Sequence, residues 1–127
     1  MSQIEFTQGE TVELTLTLKD ALDAPIPITG DTFEGKIKDI ADLSSDLASF
    51  TPTILDGPNG VIELVISDTD SLTIPSTVVY NAKGAESTTP SRVLFYDVFR
   101  TKSSDSTKRK VASGLVKVYP AITLAGA

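Results

Sequence analysis

Thr11-Val12-Glu13-Leu14-Thr15-Leu16-Thr17-Leu18-Lys19 decides the fold class. Val12, Leu14, Leu16 and Leu18 recur at every second position, with Glu13, Thr15, Thr17 and Lys19 between them. A two-residue period puts one face of a strand on a core and the other in water. On the N-terminal side, Ile4 and Phe6 mark a short first strand, and Gln8-Gly9-Glu10 is a turn. On the C-terminal side, Asp20 to Gly30 contains Pro25 and Pro27, which cannot donate to a ladder, so this stretch is expected to be an extended linker or a sheet edge. Gly30 permits the bend into a second strand, Thr32 to Lys38, where Phe33, Gly35 and Ile37 share a face and Phe33 is assigned to the core.

Between Ile40 and Phe50 the spacing changes. Ile40, Leu43, Leu47 and Phe50 fit a short helix near residues 44–50, capped within Ser44-Ser45-Asp46, or an irregular loop. Thr51–Leu55 and Val61–Ser67 are then expected to pair as a hairpin about Asp56-Gly57-Pro58-Asn59-Gly60, whose Asp-Gly and Asn-Gly pairs tolerate positive φ. Ser67 to Ser71 is polar and reads as a turn, and Leu72 to Tyr80 reads as a Pro75-interrupted stretch leading to an edge strand. Asn81 to Ser91, rich in small and polar residues, is predicted to be an exposed, flexible loop. Two long strands follow, Arg92–Lys102 and Lys110–Tyr119, the first with large apolar groups on both faces. Such a strand is central in its sheet or has one face against another chain. Strands at this spacing predict one all-β sandwich domain over residues 1–127.

Composition narrows the chemistry. A chain of 127 residues buries roughly two-thirds of its extended surface around one core. It has no cysteine and no histidine, and no tryptophan either. Disulfides and thiolate metal sites are therefore excluded, and catalysis would have to rest on carboxylates, lysine, serine or tyrosine. Eleven basic against seventeen acidic residues give a formal charge of −6, which disfavours direct binding to nucleic acid or to anionic lipid. The one basic run, Lys108-Arg109-Lys110, reads as a solvated strand end. The N-terminal residues lack a signal-peptide pattern and no stretch approaches ~18 apolar residues, so a soluble protein without a membrane partner is expected.

Few residues are candidates for chemistry. Asp68 and Asp70 would offer oxygen ligands to a hard cation, but their loop lacks the spacing of a dedicated site and is better read as a turn. Asp97, set among Phe95, Tyr96, Val98 and Phe99, must be solvated, hydrogen-bonded or paired if it lies in the sheet; a bond to a neighbouring backbone group, Arg92 or Arg100 is the expected account, with an active-site acid as the alternative. No second carboxylate at a readable spacing makes it half of a glycosidase pair. No catalytic residue, metal ligand or cofactor is assigned.

Several segments resemble an immunoglobulin-like module of tailed-bacteriophage virion proteins, such as the N-terminal domain of baseplate upper proteins and related tail or fibre-attachment domains. The resemblance is carried by Phe6 to Thr11 before the Val/Leu alternation; Pro25 to Ile28 followed by Thr29 to Phe33; Gly60 to Leu64; Phe95 to Val98; and Ala112 to Pro120 with Ile122-Thr123. It implies an immunoglobulin-like antiparallel β-sandwich with Gly30 at a bend and Gly114 at a close backbone approach. It also implies a non-enzymatic structural protein of the virion (tail, baseplate, neck or capsid-associated), made in the bacterial host cytoplasm. Its partners would be other virion proteins and itself, in a symmetric homo-oligomer. Contact residues expected from this reading are Ile4, Phe6, Leu72, Ile74, Val79, Tyr80, Tyr119, Ile122 and Leu124. The competing reading is a carbohydrate-binding β-sandwich module for a host cell-surface glycan, against which the lack of tryptophan counts.

Overall fold

Alternation of apolar and polar side chains is realised in seven strands: β1 (Ile4–Thr7), β2 (Val12–Thr17), β3 (Thr32–Asp39), β4 (Ala48–Asp56), β5 (Val61–Ile66), β6 (Leu94–Thr101) and β7 (Lys108–Tyr119). One short helix, α1 (Asp68–Leu72), lies between β5 and β6. The computed structural model describes residues 3–78, 80, 84–85 and 92–120, to which these counts refer. The strands lie in the order β1-β7-β6-β3-β4-β5-β2. The two outermost strands are consecutive in sequence, and the turn joining them is closed by a 3.0 Å bond from the Glu10 N–H to the Thr7 carbonyl. That short tether draws the sheet's ends toward each other, and the sheet curls until it is nearly a barrel. The all-β expectation holds, with one correction. The sheet is mixed rather than wholly antiparallel, because β1 runs parallel to β7 with Ile4 beside Val116 and Phe6 beside Val118.

β4 makes the corner of the structure. Its first residues, Ala48 to Phe50, pair with β3, and the rest, from Thr51 to Asp56, pair with β5. Past Phe50 it diverges from β3 and leaves a cleft of about 420 Å³ lined by Asp31, Thr32, Phe33, Pro52 and Ile54. Pro52 is tolerable here because β4 pairs only with β5 over this half, which leaves the other side without a ladder to donate to.

Inward residues from all seven strands form one cluster, among them Phe6, Val12, Ile37, Phe50, Leu64, Tyr96 and Val118. The period-2 rule is visible in β5, where Ile62, Leu64 and Ile66 are buried while Val61, Glu63 and Val65 are half-exposed. Phe33 is in the core as expected. Phe50 and Tyr96 meet edge to face, with centroids 6.4 Å apart at 70°, a favoured aromatic geometry. Full burial of an aliphatic core side chain such as Ile37 or Leu64 contributes about 1.5–3 kcal/mol.

A curled sheet has two open mouths, and each is closed by an isoleucine with no exposed surface, Ile28 at one and Ile74 at the other. Ile28 is held by its N–H bond to the Gly57 carbonyl, 2.8 Å, in the β4–β5 turn. At the same end the Asp31 carboxylate accepts from the Arg100 Nε at 2.6 Å and from the Ser103 N–H at 2.9 Å. This ties the approach to β3 to β6 and to the β6–β7 turn. Burial by itself raises the Asp31 carboxyl, but the Ser103 N–H and the Arg100 guanidinium outweigh it and hold the group below its ordinary value. A depressed carboxylate stabilises the fold above its unfolded pKa, near 4, and that stability is lost as pH falls through the lowered native value. Asp31→Asn is expected to cost about 2 kcal/mol at neutral pH. It is also expected to flatten the fall in urea midpoint seen for the parent protein between pH 5 and pH 3, as paired denaturation curves would show.

At the other mouth Ser71, fully buried, is a hub. Its Oγ donates to the Glu10 carbonyl at 2.5 Å and accepts from the Gly9 N–H at 3.1 Å. Gln8 adds a 2.7 Å bond from its side-chain amide to the Ile74 carbonyl. The β1–β2 turn is thereby fastened to α1 and to the plug. Ser71→Ala is expected to lower stability by about 1–3 kcal/mol, because the Gly9 N–H loses its acceptor; thermal denaturation followed by circular dichroism measures it.

Other expectations for local structure are corrected. No helix forms near residues 44–50. Asp39 and Asp42 instead accept from the N–H groups of Ala41 and Ser44, which fixes turns until β4 starts at Ala48. The helix lies at Asp68–Leu72, where a turn was expected, because the Ser67 side chain caps it by accepting from the Asp70 N–H and acidic residues occupy its first turn. Leu72 to Val78 does not form an edge strand. Ile74 and Val78 turn inward, and Thr77 bonds through its N–H and Oγ1 to the backbone of Val118. Most of the Asn81 to Ser91 loop lies outside the described residues.

Candidate functional site

Cross-strand register determines which side chains meet on the outer face of β3, β6 and β7. Lys38, Phe95 and Leu115 form one row, and Lys36, Asp97 and Ser113 the next. Below them the register slips between Val98 and Phe99, so that Phe99 faces Lys110 and Thr101 faces Lys108. Such a bulge changes the parity of the strand that carries it. Above it the odd-numbered residues of β7 point outward; below it Lys108 and Lys110 do. Lys108 then lies 5.4 Å from the Phe99 ring centroid, a cation–π contact.

The result is an open cleft of about 350 Å³ lined by Glu34, Lys36, Lys38, Leu43, Asp97, Phe99 and Lys108. The loop before β4 folds over one end: the Lys38 ammonium donates to the Leu43 carbonyl at 2.9 Å, and Asp46 bridges Lys36 at 2.9 Å and Lys38 at 3.4 Å. Asp46, and with it Glu34 at 3.4 Å from the ammonium, holds Lys36 above the usual lysine range. The hydrogen bond from Lys36 in turn lowers the Asp46 carboxyl. Three ammonium groups and three carboxylates therefore share one surface beside an aromatic ring. Half-buried Phe95 and exposed Leu115 extend it with an apolar strip, at whose end stands Val93.

Asp97 is thus placed on a charged outer face, not in the core. Neither arginine nominated for it is its partner, since Arg100 bonds Asp31 and Arg92 pairs with Asp39 at 3.6 Å. Its cross-strand neighbour on β3 is Lys36. Pairing of β3 with β6 also brings Glu34 into the same cleft, a second carboxylate that linear spacing did not reveal.

The expected contact residues separate into three groups. Ile4, Phe6 and Ile74 are buried in the protein's own core, so they present no surface to a partner. Leu72 and Tyr80 are exposed, and Tyr119 is half-exposed with Lys117 at 5.2 Å over its ring. Val79, Ile122 and Leu124 lie outside the described residues. Linear reading missed Lys36, Lys38, Phe99 and Lys108 as one surface; the broken alternation at Lys108-Arg109-Lys110 was the available sign of the bulge that assembles it.

Asp68 and Asp70 are committed to the first turn of α1, and no group of three or more potential metal-ligating side chains occurs among the described residues. No helix among them is long and apolar enough to cross a membrane. No family model matches the chain, and no curated protein matches it significantly.

Proposed function

We propose that the protein is a non-enzymatic structural component of a tailed-bacteriophage virion, built as an immunoglobulin-like sandwich and acting through protein–protein assembly. The observation that supports the immunoglobulin-like part of this reading is the strand order. Immunoglobulin-like sandwiches place strands C, F and G in one sheet and B, E and D in the other. The ladder β3–β6–β7 follows the first order and β2–β5–β4 the second, with the corner strand β4 serving both sheets. It is the resemblance of its segments to phage modules, not the fold, that supports a place in a virion, since sandwiches serve many unrelated roles.

The outer surface suits assembly. It offers exposed Leu43, Leu55, Leu72, Val93 and Leu115 among charges, and two broad sheet faces. The glycan-binding alternative draws on Tyr80 and Tyr119 alone, and Lys117 covers the second of these. An antiserum against the purified protein is expected to follow intact particles through a density gradient. Recovery in the soluble fraction alone would overturn the proposal.

A further inference from the structure

The chain's charge is divided between the two halves of the sheet. Residues 31–47 and 92–119, which include β3, β6 and β7, hold nine of the eleven basic side chains and seven acidic ones. Residues 10–23 and 51–72, which include β2, β5, the second half of β4 and α1, hold eight acidic side chains and a single basic one, Lys19. The outer faces carry the same contrast. The β3–β6–β7 face presents Lys36, Lys38, Lys108 and Lys110 against Glu34, Asp46 and Asp97. The β2–β5–β4 face presents Glu13, Glu63 and Asp56, set among Thr15, Thr17, Thr51 and Thr53, with no lysine or arginine on its strands.

Both faces also carry apolar groups. On the first these are Phe95 and Leu115; on the second they are the half-buried Val61 and Val65, with Leu55 standing out 54% exposed at the β4 bulge. The two faces line opposite sides of one shared core and look away from each other.

We propose that copies of this chain stack head to tail, the basic β3–β6–β7 face of one against the acidic β2–β5–β4 face of the next. This rests on the assembly role proposed above and names its partner as a second copy. Complementary charge sets orientation and the rate of encounter, while the apolar groups supply the contact that lasts. Two acidic faces would repel, so a two-fold dimer through the β2–β5–β4 face is disfavoured. A contact between two different faces propagates, and closes into a ring if the rotation per copy allows.

Two triple variants test the geometry. Lys38→Ser with Lys110→Ser and Leu115→Ser removes the first face; Glu13→Ser with Leu55→Ser and Glu63→Ser removes the second. All six positions are at least partly exposed, and circular dichroism checks that each variant folds. By sedimentation velocity the parent protein is expected to grow with concentration through multiples of its 13.5 kDa mass. Each variant alone is expected to remain a monomer, and their equimolar mixture to yield a capped heterodimer. Association of the parent protein is expected to weaken at least about tenfold between roughly 0.05 M and about 1 M NaCl, where the Debye length shrinks to about 3 Å; this arm stands even if a variant fails to fold.

Strict monomers at high concentration, assembly indifferent to salt, or a dimer that survives one triple variant would each overturn the head-to-tail contact. A strict monomer that still accompanies particles would leave the virion role standing. Stacking by a protein absent from particles would overturn that role and leave the contact.

Discussion

Gly60→Val is expected to cost about 4 kcal/mol or more, a large part of the roughly 5–15 kcal/mol that holds a domain together. Gly60 ends the β4–β5 turn at φ +72°, in the left-handed region that a β-branched residue adopts only under strain. A Cβ there would lie 2.5 Å from the Ile26 carbonyl oxygen and 2.8 Å from that of Leu18, both backbone atoms with little freedom to retreat. Moving them breaks the bonds from the Leu18 N–H to Gly60 and from the Ile26 N–H to Leu18, at 2.9 and 3.0 Å. The strand end of β2 and the loop carrying the Ile28 plug would loosen together. Gly84, at φ +79° with nothing within 4 Å of its would-be Cβ, is the control. Gly84→Ala has only the backbone cost, about 1 kcal/mol. Urea denaturation of the two variants beside the parent protein separates steric clash from backbone strain; equal midpoints would show that the Gly60 contacts do not matter.

Leu64→Ala is expected to destabilise by about 3 kcal/mol and lower the melting temperature by roughly 10 °C. Leu64 is fully buried at the middle of β5, opposite Leu14 of β2 and Pro52 of β4. Its removal leaves a void in an interior whose walls are strands paired on both sides, so collapse is restricted. Leu55, 54% exposed, is the matched surface position. Leu55→Ala is expected to change stability by no more than about 0.5 kcal/mol. Calorimetry on both variants measures the difference, and similar melting temperatures would contradict the placement of the core.

What was legible in the sequence follows from how local each signal is. The alternation in β2, the Asp-Gly and Asn-Gly turn between β4 and β5, and Phe33 in the core each depend on neighbours in the chain, and each was read correctly. The parallel pairing of β1 with β7 joins residues more than a hundred positions apart, and nothing in Ile4 to Thr7 specifies it. Alternation also shows that a face is apolar without showing what covers it. Ile4 and Phe6 read as surface for a partner, yet the curl of the sheet folds them into the protein's own core. Pro25 and Pro27 suggested an extended linker or an edge, and Pro25 does bridge Lys19 beyond the end of β2, but nothing in the pattern showed that Ile28 turns inward as a plug. Ser67 ahead of Asp68 and Asp70 was a readable N-cap, and its polarity was mistaken for that of a turn. The charged cleft was the least legible feature, because the bulge at Val98 and Phe99 that turns Lys108 and Lys110 outward is a property of two strands together.

Assembly within a particle is tested most directly by cross-linking mass spectrometry on purified, intact virions from cells carrying the gene, with an amine-to-carboxylate reagent. The expected result is recovery of this protein's peptides from the particles, with intermolecular links joining Lys38, Lys108 or Lys110 to Glu13 or Glu63 of another copy, or to a second virion protein. Particles that contain none of its peptides, while the soluble lysate holds the protein as an unlinked monomer, would contradict it.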